Sequence, residues 1–387
     1  MKPVKPFTVA IVGGGAGIAF SPNSIEAMRL IDPKIREVFL KLATKNEEKE
    51  EEATWINFRS GERESQLIAK VRTTDRDKTG LSSVHRARFL EELAAMVPEE
   101  VAQFNKRLTY LESSGGGKLK LRFEDGTTAS ADAVVGCDGV RSQVRRFVLG
   151  EESASQGLAF SGKYAYRGLV PMERAKISLG EYLAGNSQMY LGYGGHLLTY
   201  PIDKGATMNV VGFKDMDSTW DHETWVLKGR VVDMRRDFVG FGETVERVVK
   251  LIESVDIWAL FDHKPASTYV KGRVALLGDA AHASTPHQGA GAGQALEDAL
   301  VLSCLLDDER IRSACDTSKA FAAYDAIRRP RSQKVVSTSR QCGMVYAFKG
   351  PGGDDVTKIE EDLTERFEWI WGVDMNEQVR DACSLLG

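Results

Sequence analysis

The sequence predicts an α/β fold: a parallel sheet of the nucleotide-binding kind, interrupted by a mostly antiparallel β-rich insert and followed by a helical tail. Three observations lead there. An apolar run, Phe7 to Val12, ends in Gly13-Gly14-Gly15. Two apolar strands far downstream, ADAVVGCDG (131–139) and RVALLGDA (273–280), each end in an aspartate beside glycine. Between them, over about 157–265, residues alternate in strand fashion with hairpin turns at Gly194-Gly195 and Asp203-Lys204-Gly205.

Each element has its own local reason. Phe7 to Val12 is short, β-rich and apolar, which reads as a buried first strand. Asn23 or Ser24 can cap a helix that carries Ile25, Met28 and Ile31 on one face and ends at Pro33. Trp55 to Val71 reads as extended chain around the turn Ser60-Gly61-Glu62, and Ser83 to Met96 has Phe89, Leu90 and Leu93 at helical spacing. LTYLES, KLKLRF and TTASADAVVG follow one another closely across glycine turns, as a β meander. A long helix begins near Gly291 with Leu296, Leu300 and Cys304 on its apolar face. Beyond it the chain is helical and polar, with Pro330 and Pro351-Gly352 as breaks.

Bulk properties narrow the function. A chain of 387 residues suffices for two domains, or one domain with an insertion. A net charge of −4 gives no reason to expect nucleic acid or an anionic membrane as partner. The mixed-sign run Glu47 to Glu52 reads as a solvated face. Five cysteines without a CxxC pair argue against a zinc site or disulfide framework and fit a reducing compartment. The first apolar run is too short for a signal peptide, and no stretch reaches the length of a membrane span. The expected setting is the cytoplasm.

In an open α/β sheet, ligands sit beyond the carboxyl ends of the strands. Asp138 and Asp279, at two such ends, are therefore candidates to converge on one ligand. Gly278 and Asp279 close a buried strand, so the aspartate can emerge at the sheet edge and accept hydrogen bonds from sugar hydroxyls. The stretch from Pro286 through Gly289 and Gly291 to Gly293 then opens the long helix with small residues. A flat ring can approach bare backbone N–H groups there, and the helix dipole favours negative charge. The alternative is a glycine turn that only allows close packing.

GRVALLGDAAH…P…GAGAGQALEDA resembles the second FAD motif of the single-component flavoprotein aromatic hydroxylases, in particular the fungal salicylate-hydroxylase-like group. Other stretches resemble that family in the same order: VHRARFLEEL (84–93), VVGCDGVRSQVR (134–145), AYRGLVP (165–171) and RRPRSQKV (328–335). The resemblance implies an FAD/NAD(P)-binding Rossmann-like domain over 1–156 and 266–335, a β-rich substrate domain over 157–265, and a C-terminal helical segment over 336–387. It also implies FAD as cofactor, NADH or NADPH as co-substrate, and hydroxylation of a phenolic or aromatic acid with O2. Asp279 would contact the ribityl or ribose part of FAD, and the backbone from Pro286 to Gly293 would lie against the isoalloxazine. Arg86 would reach the ribityl or phosphate region, while Asp138, Gly139 and Arg141 would shape the crevice where FAD and the pyridine nucleotide meet. Surface ion pairing is the bland alternative for both arginines.

In the insert, Arg167, His196 and Tyr200 are the candidates for substrate binding and phenol activation. His196, Leu198 and Tyr200 have even spacing and should share one strand face. There a fixed cation and a phenol would bind a phenolate; the alternative is a hairpin with a wet face. His282 reads as a packed, hydrogen-bonded histidine. Trp369, Trp371 and NEQVRDACSLL read as packing or as the face of a homodimer.

The beginning departs from the family pattern. There, GGGxxGL opens a helix, a strand ending in an acid follows, and only then comes a segment like GAGIAFSPNS. Here GGG and AGIAFSPNS are fused, Gly13, Gly14 and Gly15 are kept, and Ile18 stands at the third fingerprint position. Asp32, at the expected distance for the acid, stands at a helix end before Pro33 and is a decoy. Roughly 30 to 40 residues, about one helix and one strand of a βαβ unit, are absent. This favours a second reading, a non-catalytic chain impaired in FAD binding. A plain NAD-dependent dehydrogenase would rest on the GGG turn alone.

Overall fold

The computed structural model describes residues 5, 8–12, 19–62, 65–73, 79–113 and 117–387. Gly13, Gly14, Gly15 and Ile18 lie outside them. The smaller main sheet has four strands in the order Val9–Val12, Ala133–Gly136, Val274–Leu276, Val270–Lys271. The first three run parallel, with Val12 opposite Gly136 and Leu276 opposite Gly136. Their carboxyl ends are therefore level, and the chain leaves all three on the same side of the sheet. Leu276, Val274 and Val134 are fully buried, under a layer that includes Leu305, Phe321 and Tyr324.

The first strand departs from its expected burial. Val9–Val12 pairs only with Ala133–Gly136 among the described residues, and Ile11 is 71% exposed. A β-rich apolar run suffices to form the strand, but burial needs a neighbour on its far side. The helix Pro22–Ile31 that follows packs instead against the helix Gly291–Asp307. Its proline stands at the first helical position, where a fixed φ and a missing N–H cost nothing. The helix thus starts at Pro22, capped by neither Asn23 nor Ser24. The Asn23 side chain donates instead to Glu297 Oε1 at 2.7 Å.

The larger sheet has eight strands, in the order Val226–Gly229, Val255–His263, Leu158–Pro171, Thr207–Asp215, Gly195–Ile202, Gln188–Gly192, Thr54–Ser60, Leu67–Arg72. All neighbours are antiparallel except Gln188–Gly192 with Thr54–Ser60. The last two strands come from outside residues 157–265. One face of the sheet packs on the helices Met172–Leu179, Val231–Asp237 and Glu243–Leu251 through Tyr190, Leu197, Met208 and Val210. The other face, with Phe58, Met189 and Leu191, meets Cys342 and Tyr346 of the helix Thr317–Tyr346. The meander forms as expected from Leu108–Ser113, Leu119–Phe123 and Thr128–Ala131.

Pro330 does not break the chain. It lies inside the 30-residue helix Thr317–Tyr346, which also runs through the 335/336 boundary expected for the C-terminal segment. A proline inside a helix forfeits one hydrogen bond and crowds the preceding turn. Here the buried side chains of Arg328 and Ser332 on either side hold the helix in place. Trp371 stacks on Phe367 and touches Trp55, and Met375 packs with Ala27 and Leu300. No helix among the described residues is long and apolar enough to cross a membrane.

Candidate active site

The inner face of the large sheet and the loop through residues 284–292 enclose a cavity of about 390 Å³, a volume typical of small-molecule sites. Cross-strand register dictates which side chains meet there. His196 stands opposite Phe213, Leu198 opposite Val211, and Arg167 opposite Val211. Successive side chains of a strand alternate between faces, so His196, Leu198 and Tyr200 share one face, as their even spacing predicted. All three line the cavity with Arg167. Trp55, Met189, Val211 and Phe213 make the remaining wall largely apolar.

The charges around the cavity follow from burial. The cation is Arg167, whose guanidinium sits 4.6 Å from the ring centroid of Trp258 and whose Nε has no partner among the described residues. Burial lowers its pKa, with Tyr200 opposing, but an arginine starts so high that it stays charged. His196 is not a cation. It is fully buried, stacked on Phe213 at 4.4 Å, and burial, then His287 and Lys163, hold its pKa well below the ordinary value. His287 meets its edge at 5.2 Å and is lowered by burial to about 3. Both ring nitrogens of each imidazole lack a partner among the described residues. Burial also raises the Tyr200 phenol, against the pull of Arg167 and Asn209, so it stays protonated at neutral pH.

The loop opposite is held from behind. Gly278 adopts φ +61°, a left-handed conformation suited to glycine, and its N–H donates to Asp298 Oδ2 at 3.0 Å. The same oxygen receives His282 Nε2 at 2.6 Å, so His282 is the packed, hydrogen-bonded residue expected. Asp298 Oδ1 accepts from Arg328 Nε at 2.8 Å. Burial alone would raise Asp298; His282 and Arg328 outweigh it and hold the carboxyl at about 2. Arg328 and Arg331 also bind Glu297.

Asp279 follows, facing the cavity. No hydrogen bond from the described residues reaches its carboxylate, whose pKa is raised by burial with His282 opposing. Gly289, at φ +61°, lies against the Trp55 indole, where an added Cβ would stand 3.0 Å from the ring. Gly291 opens the 17-residue helix Gly291–Asp307, whose first turn has neither a side-chain cap nor an acid. A cradle without side chains, an uncapped helix start and a waiting carboxylate suit the ring and ribityl end of a flavin.

The cavity thus gathers Arg86, Arg167, His196, Tyr200, Asp279, Pro286, Gly289 and Gly291. Other candidates lie elsewhere. Asp138 does not converge with Asp279: its carboxylate caps the helix Gln143–Leu149, accepting from Ser142 Oγ, Gln143 N at 2.7 Å and Val144 N at 3.2 Å. Gly139 turns beside it with φ +78°, and Arg141 lies 4.0 Å over the Trp225 ring. At Gly293 an added Cβ would collide with Ser24 Oγ, so this glycine serves helix packing. Gly278 supports the loop from behind.

Sequence reasoning missed Arg145, His287, Trp55, Trp258 and the Glu297–Asp298–Arg328 cluster. Arg145 is 2% exposed and donates to the carbonyls of Ala280 at 3.0 Å and Ala281 at 2.7 Å, which ties the turn after Gly136 to that after Leu276. A signal for the cluster was present: adjacent acids inside an otherwise apolar helix, GQALEDAL, need buried cations.

Comparison with known proteins identifies the family. Residues 242–339 match the FAD binding domain family. The chain is 44% identical over 378 residues to 6-methylsalicylate 1-monooxygenase of Aspergillus terreus, covering 96% of this chain and 83% of that protein. It is 38% identical to a salicylate hydroxylase of Pseudomonas putida, covering 96% of this chain and 87% of that protein. A solved salicylate hydroxylase substrate complex superposes with a TM-score of 0.88 at 34% identity, over 98% of each chain. The chain therefore belongs to the FAD-dependent monooxygenases of the salicylate hydroxylase family, which are oxidoreductases.

Proposed function

We propose that the protein hydroxylates a phenolic aromatic acid with NAD(P)H and O2. One observation carries this reading: an apolar cavity in which Arg167 stands beside two buried neutral imidazoles whose nitrogens have no partner among the described residues. Bound FAD supplies the oxygen chemistry; the protein supplies binding, orientation and dryness. Arg167 pairs with the substrate carboxylate, its unpartnered Nε offering one arm of a forked contact. His196 and His287 are the hydrogen-bond partners for the phenol, and Tyr200 closes the same wall. Neutral imidazoles suit this task, since one ring nitrogen can accept a hydrogen bond from the phenol O–H while the other donates.

Asp279 and Arg86, which also line the cavity, would hold the ribityl chain of FAD, and the backbone at Pro286, Gly289 and Gly291 would face its ring. The uncapped N–H groups at Gly291 would stabilise negative charge on the ring edge. Asp138, Gly139 and Arg141, outside the cavity lining, would lie where the pyridine nucleotide approaches. Five free cysteines favour a reducing, cytoplasmic setting.

The test is NAD(P)H oxidation by the FAD-reconstituted protein with salicylate or 6-methylsalicylate, read together with the hydroxylated product. The expected result is substrate-stimulated oxidation matched by product. Exposed Ile11 favours a second reading, a non-catalytic chain with a weakened hold on FAD. A folded preparation that stays colourless in excess FAD supports that second reading.

A further inference from the structure

The two ends of a bound FAD would meet very different surfaces. At the ring end the walls are complete: Asp279, Arg86 and the loop from Pro286 to Gly291 face the cavity. The adenosine end of a dinucleotide normally needs a helix start behind a glycine turn and an acid at the tip of a neighbouring strand. Here the first strand is the edge of its sheet among the described residues, with Ile11 71% exposed. The acid at the fingerprint distance, Asp32, accepts the N–H of Lys34 at 2.9 Å and caps the helix Pro33–Leu42. The helix after the glycine turn is already engaged. Its Asn23 donates to Glu297, and Ser21 Oγ, at its N-cap, bonds with Asn23 Oδ1 at 2.6 Å and Ser24 Oγ at 3.0 Å.

We propose that this chain recognises the isoalloxazine–ribityl–phosphate portion alone, and so binds flavin mononucleotide and FAD with nearly equal affinity. The inference rests on the functional reading above, because it uses the same ring-end residues. Each charge-assisted bond to the adenosine ribose or second phosphate would favour FAD by roughly tenfold or more. Where those bonds are not made, the preference vanishes.

The experiment titrates the full chain, freed of flavin, with FAD and with FMN while following flavin fluorescence quenching. Adenosine monophosphate at millimolar level serves as competitor. The expected result is Kd values within about fivefold of each other, less than one charge-assisted bond to the adenosine end would give. The competitor should not displace either flavin. Asp279→Asn, with Asp279→Ser as a second variant and circular dichroism as a fold check, should weaken both flavins by the same factor. Asp32→Asn should change neither. FAD binding more than about fivefold tighter than FMN, or Asp32→Asn weakening FAD alone, would overturn the inference and leave the proposed function standing. A folded chain that binds neither flavin would overturn both.

Discussion

The helix Gly291–Asp307 and the strand Val9–Val12 stand at opposite ends of the expected cofactor site, and they are built in opposite ways. Behind the helix, Glu297 and Asp298 are fully buried and share Arg328, Arg331, Asn23 and His282. The strand has one neighbour among the described residues and a mostly exposed isoleucine. Binding chemistry needs rigid, preorganised groups, and here the rigidity is concentrated at the ring end. On the proposed reading, the junction of GGG with AGIAFSPNS would leave one end of the cofactor site with less support than the other.

That contrast can be broken most forcefully at Arg328. Arg328→Ala leaves two buried carboxylates short of their common cation, and breaking such a pair costs about 3–5 kcal/mol. Urea unfolding followed by circular dichroism should register that loss, together with weaker flavin retention. A change under about 1 kcal/mol would mean that the network is not what holds the loop.

Arg167 tests the cavity itself. Arg167→Gln should raise KM for an aromatic acid by roughly 10- to 150-fold, the worth of a charge-assisted contact of about 1.5–3 kcal/mol. A neutral phenol of the same size should lose little. Equal losses for acid and neutral phenol would remove Arg167 from carboxylate binding.

The buried imidazoles give a pH signature. His263 and His287 are lowered by burial to about 3 from an ordinary 6.5. Below pH 6.5 the unfolded chain therefore takes up protons that the folded chain refuses. Their contribution is complete above that pH and is lost as pH falls, by about 1.4 kcal/mol per pH unit per histidine. Urea midpoints measured between pH 5 and 7 should fall toward acid, and His287→Asn should flatten the slope. An unchanged slope in that variant would contradict the neutral, buried state of His287.

The smallest effect belongs to the exposed strand. Ile11→Thr removes apolar surface that is already in water and keeps β-branching, so stability should move by no more than about 0.5 kcal/mol. A loss of several kcal/mol in thermal unfolding would show that this edge is covered in solution.

Much of this arrangement was legible in the sequence, because the signals are local. A strand ending in Gly278-Asp279, a glycine-led helix at Gly291 and the even spacing of His196, Leu198 and Tyr200 each depend on a few adjacent residues. What escaped depends on distant partners. Thr54–Ser60 joins the large sheet only through its register with Gln188–Gly192, which brings Trp55 to the cavity. Asp138 looked free because its competitors, the N–H groups of Gln143 and Val144, appear only once the helix after Ser142 has formed. The neutral state of His196 escaped because period-2 spacing gives the face but not the degree of burial. Pro330 looked like a break because the contacts holding its helix come from residues about 30 positions earlier in the chain, such as Asp298.

The most direct measurement combines flavin, reductant and substrate in one cuvette. The purified chain, reconstituted with FAD, is supplied with NAD(P)H and air, and oxidation is recorded before and after salicylate is added. Substrate-dependent oxidation yielding a hydroxylated aromatic product is the expected result. A folded, flavin-loaded protein whose NAD(P)H oxidation is indifferent to salicylate, to 6-methylsalicylate and to other phenolic acids would contradict it.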